Sequence, residues 1–251
     1  MASAENGNSN LRVLIAGGGV AAIETLLALR DLARDHVEVD LLTPQPHFVY
    51  RPLGIATAFD LGEPPRFELA PIAAELGATL HRDALASVDA DRRVAVTRRG
   101  EELSYDVLVV ASGAEPEPAV PGAFTFRGAE DAQAYARLLA EIEQGDATKV
   151  IFAMPPGANW PLPLYELALL TAGRVAARGA DAQLTIVTPE EVPLKLFGRE
   201  ASEAVGKLLA SKGIEVRTST HPGKFSHKSL SLVPQDVIRA DHVVGDRKSV
   251  V

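Results

Sequence analysis

Cysteine is absent from the 251-residue sequence. Its absence excludes a disulfide framework, a zinc site built on thiolates, an iron–sulfur cluster and any redox mechanism that uses a protein thiol. The six histidines are scattered, and none lies at a spacing typical of metal ligands, so we predict no metal site. The Gly-x-Ser-x-Gly motif of serine hydrolases is also missing, and nothing favours that class of enzyme.

Long apolar runs are missing too. None approaches the roughly 20 residues that a helix needs to span a bilayer. Residues 1–10 are polar and lack the basic start and apolar core of a signal peptide, so we interpret them as a flexible leader and expect a cytoplasmic protein. Acidic residues outnumber basic ones by 33 to 25, and the resulting formal charge of −8 argues against a general nucleic-acid binder.

The last six residues, 246–251, form an unusual end, Asp-Arg-Lys-Ser-Val-Val. The codons GAT CGG AAG AGC GTC GTG encode this string and match the start of a common sequencing adapter. We therefore expect residues 246–251 to be a non-native tail and the native protein to be longer. A genuine basic tail is the alternative interpretation.

The strongest pattern in the rest of the chain is an alternation of short β-type runs with longer amphipathic runs. A β-type run at 11–16, three glycines, a helical run at 21–33 and a second β-type run at 37–42 form a βαβ unit. A second alternation of strands and helices extends from residue 149 to residue 217. The sequence therefore predicts an α/β fold with two Rossmann-like modules in series.

The middle of the first module has a different pattern. Short alternating runs at 84–88, 94–97 and 103–110 predict an antiparallel β-meander that leads into a buried strand at 107–111. Residues 115–122 are rich in proline and acidic residues, which is typical of a linker. The predicted organisation is a first Rossmann-like domain at 11–118, a linker and helix at 119–147, and a second Rossmann-like domain at 148–245.

The segment 17–22, Gly-Gly-Gly-Val-Ala-Ala, fits the pattern G-x-G-x-x-G/A directly after a strand and directly before a helix. Gly17 permits a tight turn, Gly19 lets a diphosphate approach the backbone, and Ala22 allows the helix to pack closely on the strand. The amides and the dipole at the helix N-terminus favour a phosphate charge. We therefore predict dinucleotide binding at this turn; a glycine turn without a ligand is the alternative.

The second strand of the first module ends at Thr43, where dinucleotide-binding folds carry an acidic residue that holds the ribose hydroxyls. Threonine offers one hydroxyl contact instead of a bidentate grip. Asp40 lies inside the strand and is expected to face away. This weakens the argument for ribose recognition but leaves the argument for phosphate binding intact.

Two further segments, Tyr50-Arg51-Pro52-Leu53 and the nine residues YDVLVVASG at 105–113, complete a family pattern with the glycine turn. With them the chain resembles the FAD-dependent pyridine nucleotide-disulfide oxidoreductase superfamily. Within that superfamily it is most similar to the branch of type II NADH dehydrogenases and sulfide:quinone oxidoreductases. The resemblance implies FAD in the first module and electron transfer between small molecules through the bound flavin.

The resemblance also implies which residues contact the FAD. Gly17, Gly19, Val20 and Ala21 would line the diphosphate, Thr43 and Pro44 would lie near the adenosine ribose, Arg51 and Pro52 would approach the flavin, Leu85 would present backbone groups to the adenine, and Ser112 and Gly113 would close over the cofactor. The family's later Gly-Asp element is similar to Val244-Gly245-Asp246, but we do not assign that role here, because Asp246 begins the suspected tail.

The second module departs from the family pattern. Alignment on residues 166–168, Glu-Leu-Ala, puts Asn159, Pro161 and Leu164 where the family's second glycine motif belongs. Proline lacks an amide donor, and leucine hinders close packing of helix on strand, so NAD(P)H binding here is left open. The stiff apolar loop 159–163 either covers the flavin, faces an apolar substrate such as a quinone, or is a rigid packed connection.

Glu166 is the candidate catalytic residue. The family places this position near the flavin, where a carboxyl group could handle protons. The alternative is a carboxylate near a helix N-terminus that is stabilised by the helix dipole.

The resemblance and the missing cysteines together define the candidate functions. Sulfide oxidation and disulfide reduction in this superfamily depend on cysteines and are therefore disfavoured. The first hypothesis is a FAD-dependent oxidoreductase that uses NAD(P)H or a quinone-like compound. Under this hypothesis the present chain, as a fragment of that enzyme, is either active or inactive by itself. The alternative is a non-catalytic nucleotide-binding or regulatory protein that keeps the flavoprotein fold. In the family, oligomer contacts and peripheral membrane docking come from C-terminal residues, which we expect to lie outside this sequence.

Overall fold

The computed structural model describes residues 10–118, 120–155, 157, 160–234, 236–245 and 247–250. They form two compact units. The first unit comprises the chain up to Tyr50 together with Pro65–Gly113, and the second comprises Arg51–Pro64 together with the chain from Ala114 onward. The predicted leader, except for Asn10, and residues Asn159 and Asp246 lie outside the described residues.

The described residues form six α-helices and nineteen strands. The helices are α1 (Val20–Leu32), α2 (Gly54–Thr57), α3 (Leu69–Glu75), α4 (Ala132–Gln144), α5 (Leu162–Arg178) and α6 (Arg199–Ser211). The strands of the first unit are β1 (Leu11–Ala16), β2 (Val37–Leu42), β3 (His47–Val49), β4 (Arg66–Glu68), β5 (Ala78–His81), β6 (Leu85–Asp89), β7 (Val94–Thr97), β8 (Glu102–Ser104) and β9 (Val107–Val110). The strands of the second unit are β10 (Glu115–Pro118), β11 (Phe124–Thr125), β12 (Lys149–Ala153), β13 (Gln183–Val187), β14 (Ile214–Arg217), β15 (His221–Ser226), β16 (Ser229–Val233), β17 (Asp236–Arg239), β18 (His242–Gly245) and β19 (Arg247–Val250).

The first unit is built on a parallel sheet of four strands in the order β5-β2-β1-β9. The central strand β1 is apolar because both of its faces are covered. Val13 and Ile15 pack against Ala22 and Leu26 of α1. On the other face, Leu14 belongs to a cluster with buried residues of the meander formed by β6, β7 and β8. The predicted α/β class and the predicted meander are both confirmed.

The strand predicted at 107–111 is present as β9, but the prediction that it is buried is wrong. β9 lies at the edge of the four-stranded sheet, with β1 as its neighbour. Val107 and Val110 are 45% and 61% exposed. An apolar run predicts a strand that can be buried. It does not show whether other elements of the chain pack against both faces of that strand.

The second unit is built on a parallel sheet of five strands in the order β11-β18-β12-β13-β14. One face packs on α5 and α4, and its core includes Phe152, Ile186 and Tyr135. The strands and helices predicted between 149 and 217 are confirmed as β12, α5, β13, α6 and β14. The return of β18 into the middle of this sheet left no signal in the sequence pattern.

The antiparallel sheet of β15, β16 and β17 was also not predicted. It covers part of the second face of the five-stranded sheet, where Leu230 and Leu232 pack with Ile151, Val187 and Val243. In a Rossmann-like module this face would ordinarily be covered by helices. The Ser- and Lys-rich composition after residue 218 masked the alternation of these short strands.

The segment Arg51–Pro64 joins the second unit through its apolar residues. Ile55 and Phe59 are buried in the core that contains α4 and α5. The rings of Phe59 and Phe126 lie 5.7 Å and 5.5 Å from the ring of Tyr135, which is fully buried. The Tyr135 hydroxyl is hydrogen-bonded to Thr171 Oγ1 at 2.6 Å, so the polar tip of this buried ring has a partner.

Residues inside the predicted linker and the suspected tail pair with each other. β10 and β19 form a two-stranded antiparallel sheet in which Glu115 is opposite Val250 and Pro118 is opposite Arg247. Within the described part of the chain, no helix is both long enough and apolar enough to cross a membrane.

Asp241 joins the start of β12 to the turn before β18. Its Oδ2 accepts hydrogen bonds from the backbone amides of Thr148 and Lys149 at 2.9 Å and 3.1 Å, and its Oδ1 accepts one from Lys228 Nζ at 2.9 Å. These bonds, that of the Thr148 amide first, lower the pKa of Asp241 from 3.8 to about 2. A depressed pKa in the folded state means that the stabilisation is complete above pH 3.8 and is lost as the pH falls towards 2.

We expect Asp241→Asn to lower the free energy of unfolding of the second unit by about 1–3 kcal/mol at neutral pH, since charge-assisted hydrogen bonds are lost. The difference from the wild type should shrink below pH 3.8. Urea unfolding followed by the fluorescence of Trp160, the only tryptophan, measures it. The exposed Asp181, which makes no hydrogen bond or ion pair to a described residue, gives the matched control Asp181→Asn. Equal losses in the two variants would contradict the role of Asp241.

Candidate functional site

The glycine turn between β1 and α1 is so tight that only glycine fits its first position. The Gly17 amide donates a hydrogen bond to the Leu42 carbonyl at 2.8 Å. Gly17 has a φ of +147°, and a Cβ there would lie 2.1 Å from the carbonyl oxygen of Ala111, at the end of β9. The first glycine therefore draws the ends of β1, β2 and β9 close together.

Gly18 and Gly19 face different surroundings. A Cβ on Gly18 would lie 2.5 Å from Thr43 Oγ1 and 3.1 Å from Leu69 Cδ1, so this residue is packed inside the unit. Gly19 has an ordinary φ of −93°, and no atom of the described residues lies within 4 Å of the position a Cβ would take. Gly19 therefore opens onto free space beside the backbone, which a side chain would fill.

The N-terminus of α1 presents free amides to that space. Gly19 is the N-cap residue, and no described side chain caps the helix or places a carboxylate in its first turn. The first four amides of a helix have no partner inside the helix, and the dipole adds positive charge there. Ala22 is fully buried against β1, so a small side chain brings the helix close to the strand. The open space at Gly19 and these amides suit a negatively charged group such as a phosphate. That Gly17, Gly19, Val20 and Ala21 line the diphosphate of FAD stays a prediction.

Thr43 lies behind the glycine turn. Its side chain is fully buried, and its hydroxyl is hydrogen-bonded to the side chain and the backbone amide of Gln45, at 3.1 Å and 3.3 Å. Pro44 and Gln45 are exposed. The sequence analysis did not single out Gln45, whose side-chain amide is a group that can hydrogen-bond a ribose. The contacts of Thr43 and Pro44 with the ribose stay predictions.

The other predicted cofactor residues of the first unit lie at strand ends. Ser112 and Gly113 are exposed and lie just after β9, separated from it by Ala111. Gly113 has a φ of +79°, a conformation that favours glycine at the point where the chain leaves the sheet. Leu85 begins β6 and packs with Leu14 and Leu42, and a register shift between Leu85 and Ser87 interrupts the ladder there. Asp40 is hydrogen-bonded to His81 at 2.8 Å instead of approaching the turn.

The remaining predicted residues lie in the second unit. Arg51 and Pro52 are exposed in a short 3-10 turn that spans Arg51–Leu53. Glu166 is the fifth residue of α5, just beyond its first turn, so the helix dipole stabilises its carboxylate only weakly. Partial burial raises the pKa of Glu166 above its usual value. A raised pKa favours the neutral acid, which is the state that can donate a proton.

The described residues at the start of α5 do not form a phosphate-binding turn. Pro161 is the N-cap residue and Pro163 lies in the first turn of α5, and neither has an amide hydrogen. The amide of Leu164 donates to the carbonyl of Pro161 at 3.2 Å. Few free amides therefore remain among the described residues at this helix end, in contrast to the N-terminus of α1.

A second polar cluster, which the sequence did not reveal, lies where β13 ends. The Tyr165 hydroxyl donates a hydrogen bond to Glu190 Oε2 at 2.7 Å, and Thr188 Oγ1 donates to the same oxygen at 3.1 Å. Burial, and next the neighbouring Glu190 carboxylate, raises the pKa of Tyr165. Glu190 occupies the strand-tip position that often binds a ribose, but its carboxylate is held by residues of its own unit.

Among the described residues, no group of three or more histidine, cysteine or acidic residues is arranged to hold a metal ion. The free space and the uncapped helix start make the glycine turn the candidate site. Glu166 is a separate candidate in the second unit.

Comparison with known proteins gives a consistent result. The chain is 28% identical to a sulfide-quinone reductase of Aquifex aeolicus over 71% of this chain and 43% of that protein. It is 28% identical to a demethylphylloquinone reductase of Synechocystis over 93% of this chain and 60% of that protein. The chain thus spans about half the length of the curated relatives it matches.

A solved structure shows the same fold. The sulfide:quinone oxidoreductase of Aquifex aeolicus superposes with a TM-score of 0.83 at 22% sequence identity, over 95% of this chain and 59% of that one.

The family description that matches residues 11–152 is "pyridine nucleotide-disulphide oxidoreductase". That range contains the glycine turn, the meander and β9 with the Ser112-Gly113 segment that comes after it. The resemblance stated from the sequence, to a superfamily of FAD-dependent oxidoreductases, is confirmed at this level. From the glycine turn, the fold and the matched range together, we conclude that the chain belongs to the pyridine nucleotide-disulphide oxidoreductase family.

Proposed function

We propose that this chain binds FAD at the glycine turn and serves a flavin-dependent oxidoreductase. The observation that carries the proposal is the free space at Gly19, flanked by the uncapped N-terminus of α1. Family membership supports it, because the matched range includes this turn. Bound FAD supplies the redox chemistry, since it accepts electrons from one molecule and passes them to another.

The chain's own residues would bind and orient the cofactor. The amides of Val20 and Ala21 would donate to the diphosphate, and Gly19 would leave the room that these bonds require. Gly113 would let the chain turn away at the end of β9 without a side chain in the way. Gln45 adds an exposed amide at the tip of β2 that can bind the ribose.

We also propose a quinone-like compound as the electron acceptor. Two relatives are named for reactions with quinones, the sulfide-quinone reductase and the demethylphylloquinone reductase. The second unit exposes large apolar side chains after β12 and β13, namely Trp160, Val192, Leu196 and Phe197. Trp160 contacts Phe197 edge to face, with ring centroids 5.4 Å apart. An apolar surface at the carboxyl ends of parallel strands, where α/β folds bind ligands, suits an apolar ring system.

Other residues of the second unit argue against NAD(P)H binding at the start of α5. Pro161 and Pro163 remove the amides that a diphosphate would need, and Glu190 is already bonded to Tyr165. We therefore propose that NADH and NADPH reduce the flavin bound to this chain slowly.

The test is reconstitution of the purified chain with FAD, followed by flavin fluorescence and absorbance. We expect stoichiometric binding and, with a chemical reductant, electron transfer to a short-chain benzoquinone. Absence of FAD binding would refute the proposal. Tight binding without turnover would favour the alternative, a non-catalytic nucleotide-binding protein. Rapid bleaching of the flavin by NADH or NADPH would overturn the argument about the α5 loop.

We propose Glu166 as the residue that handles protons during turnover, because the family resemblance implies a position near the flavin and partial burial raises the pKa of its carboxyl. Glu166→Gln is expected to lower the rate about 10–100-fold, as is typical for loss of a general acid or base. The affinity for FAD should not change. The pH–rate profile should lose the limb that follows the carboxyl, because glutamine does not titrate. The exposed Glu200 at the start of α6 gives the control Glu200→Gln; a similar loss there, or an unchanged profile in Glu166→Gln, would remove Glu166 from the proposal.

A further inference from the structure

The loop between β13 and α6, residues 188–198, carries three of the large apolar side chains that the second unit exposes. They are Val192, Leu196 and Phe197, and Leu196 is 63% exposed. The ring of Phe197 contacts the ring of Trp160, which lies just before α5, with centroids 5.4 Å apart. Apolar side chains that stay in water gain little by folding, so a group of them on one loop favours a binding role.

Glu190 anchors this loop to the body of the second unit. Its Oε2 accepts hydrogen bonds from the Tyr165 hydroxyl at 2.7 Å and from Thr188 Oγ1 at 3.1 Å. Its Oε1 accepts a hydrogen bond from the amide of Lys195 at 3.2 Å. Tyr165 belongs to α5, Thr188 follows β13, and Lys195 begins the 3-10 turn that contains Phe197. One side chain therefore joins the exposed part of the loop to a helix and a strand.

The surroundings of Glu190 make these bonds effective. Tyr165 and Thr188 are buried. Hydrogen bonds to a charged acceptor are stronger than bonds between neutral groups, and burial of the donors limits competition from water. The amide of Glu190 also donates to Thr188 Oγ1 at 3.2 Å, so the start of the loop is closed by bonds in both directions.

Leu194 fixes the loop at a second point. Its side chain is buried in the core that contains α4 and α5, although its neighbours Lys195 and Leu196 are exposed. Its φ of +53° lies in the left-handed region, which is unfavourable for leucine and persists only where surrounding contacts hold the backbone in place. The loop therefore has a defined shape, and strain of this kind is common in segments with a function.

From these contacts we infer that Glu190 is a positioning residue for the apolar surface formed by Trp160, Leu196 and Phe197. It holds the loop so that Phe197 stays against Trp160, which prepares the surface for a planar apolar ring. Preorganisation raises affinity, because the cost of ordering the loop is incurred on folding and not on binding. The inference rests on the proposed quinone acceptor, and it adds the residue that sets the affinity for it.

The test uses Trp160 as the reporter, since it is the only tryptophan and belongs to the surface itself. A short-chain benzoquinone is titrated into the purified chain, with and without FAD, and the quenching of Trp160 fluorescence is measured. We expect saturable quenching for the wild type. The dissociation constant should rise about tenfold or more in Glu190→Ala and about threefold or more in Tyr165→Phe, which loses one of the hydrogen bonds to Glu190.

Two further measurements separate positioning from a general loss of stability. Glu190→Gln keeps an acceptor oxygen and should recover part of the affinity that Glu190→Ala loses. The near-ultraviolet circular dichroism of Trp160 should change in Glu190→Ala without added quinone, because its contact with Phe197 depends on the loop.

Tyr135→Phe is the matched control. It also removes a buried tyrosine hydroxyl of the second unit, one that is hydrogen-bonded to Thr171 at 2.6 Å and not to the 188–198 loop. We expect wild-type quenching in this variant. FAD affinity should be unchanged in all four variants, because the glycine turn belongs to the first unit. Urea unfolding shows that each variant is folded under the conditions of the titration.

The outcomes separate this inference from the FAD proposal, which the FAD titration tests by itself. Unsaturable quenching in the folded wild type would overturn the inference and leave FAD binding untouched. Wild-type affinity or an unchanged near-ultraviolet spectrum in Glu190→Ala, or an equal loss of affinity in Tyr135→Phe, would overturn it as well. Weaker quinone binding confined to the Glu190 and Tyr165 variants, with partial recovery in Glu190→Gln, would support it.

Discussion

Replacing Gly19 with alanine is expected to abolish tight FAD binding while leaving the fold intact. The added methyl group would meet no described protein atom within 4 Å, and the φ of −93° is ordinary for alanine. The methyl group would instead occupy the space that the diphosphate needs. Two hydrogen bonds to a charged phosphate are worth about 1.5–3 kcal/mol each, so we expect the affinity to fall about 100-fold or more.

Fluorescence titration with FAD measures this loss, and urea unfolding checks stability in the same samples. Gly206→Ala is the matched control, because Gly206 in α6 also faces open space and lies in the other unit. It should leave FAD affinity unchanged and stabilise the helix by about 1 kcal/mol. Wild-type affinity in folded Gly19→Ala would show that the cofactor does not pass this backbone position, and the site assignment would fail with it.

Replacing Gly17 with alanine, in contrast, is expected to destabilise the fold of the first unit. Its Cβ would lie 2.1 Å from the Ala111 carbonyl oxygen, and a φ of +147° is strained for any residue other than glycine. The obstacle is the backbone carbonyl of Ala111, just after β9. A side-chain rotamer change therefore cannot relieve the clash. We expect a cost of about 3 kcal/mol or more, together with loss of FAD binding.

Two spectroscopic signals distinguish destabilisation of the first unit from destabilisation of the second. Trp160 is the only tryptophan and belongs to the second unit, so its fluorescence reports on that unit. Far-UV circular dichroism reports on both units. For Gly17→Ala we expect the circular-dichroism transition to move to lower urea, with a smaller change in the Trp160 transition. Wild-type unfolding of Gly17→Ala by both signals would contradict the tight packing of the turn.

Gly18 provides a useful comparison, because its obstacles are side chains. A Cβ there would lie 2.5 Å from Thr43 Oγ1. The second change Thr43→Ala in Gly18→Ala removes that oxygen and is expected to restore part of the lost stability, whereas the same change cannot rescue Gly17→Ala. The pair of results tests whether the three glycines play the different roles that the geometry gives them.

The sequence alone determined the α/β class, the glycine turn and the meander of the first unit. These features depend on residues close together in the chain: the alternation of residues at 11–42 sets a βαβ unit, and the spacing of glycines at 17–19 follows directly from backbone sterics. The same holds for the strands and helices between 149 and 217. Local periodicity and local steric rules decide such features, and no distant contact is needed to infer them.

The tertiary structure decided the rest. Three features depend on which distant segments become neighbours: the position of Thr43 behind Gly18, the hydrogen bond between Tyr165 and Glu190, and the exposure of β9. The hydrogen bond from Tyr165 to Glu190 joins residues 25 positions apart in the chain, and no local pattern predicts it. The pattern of a strand fixes which residues share a face, but burial, free space and hydrogen-bond partners follow from what the rest of the chain places against that face.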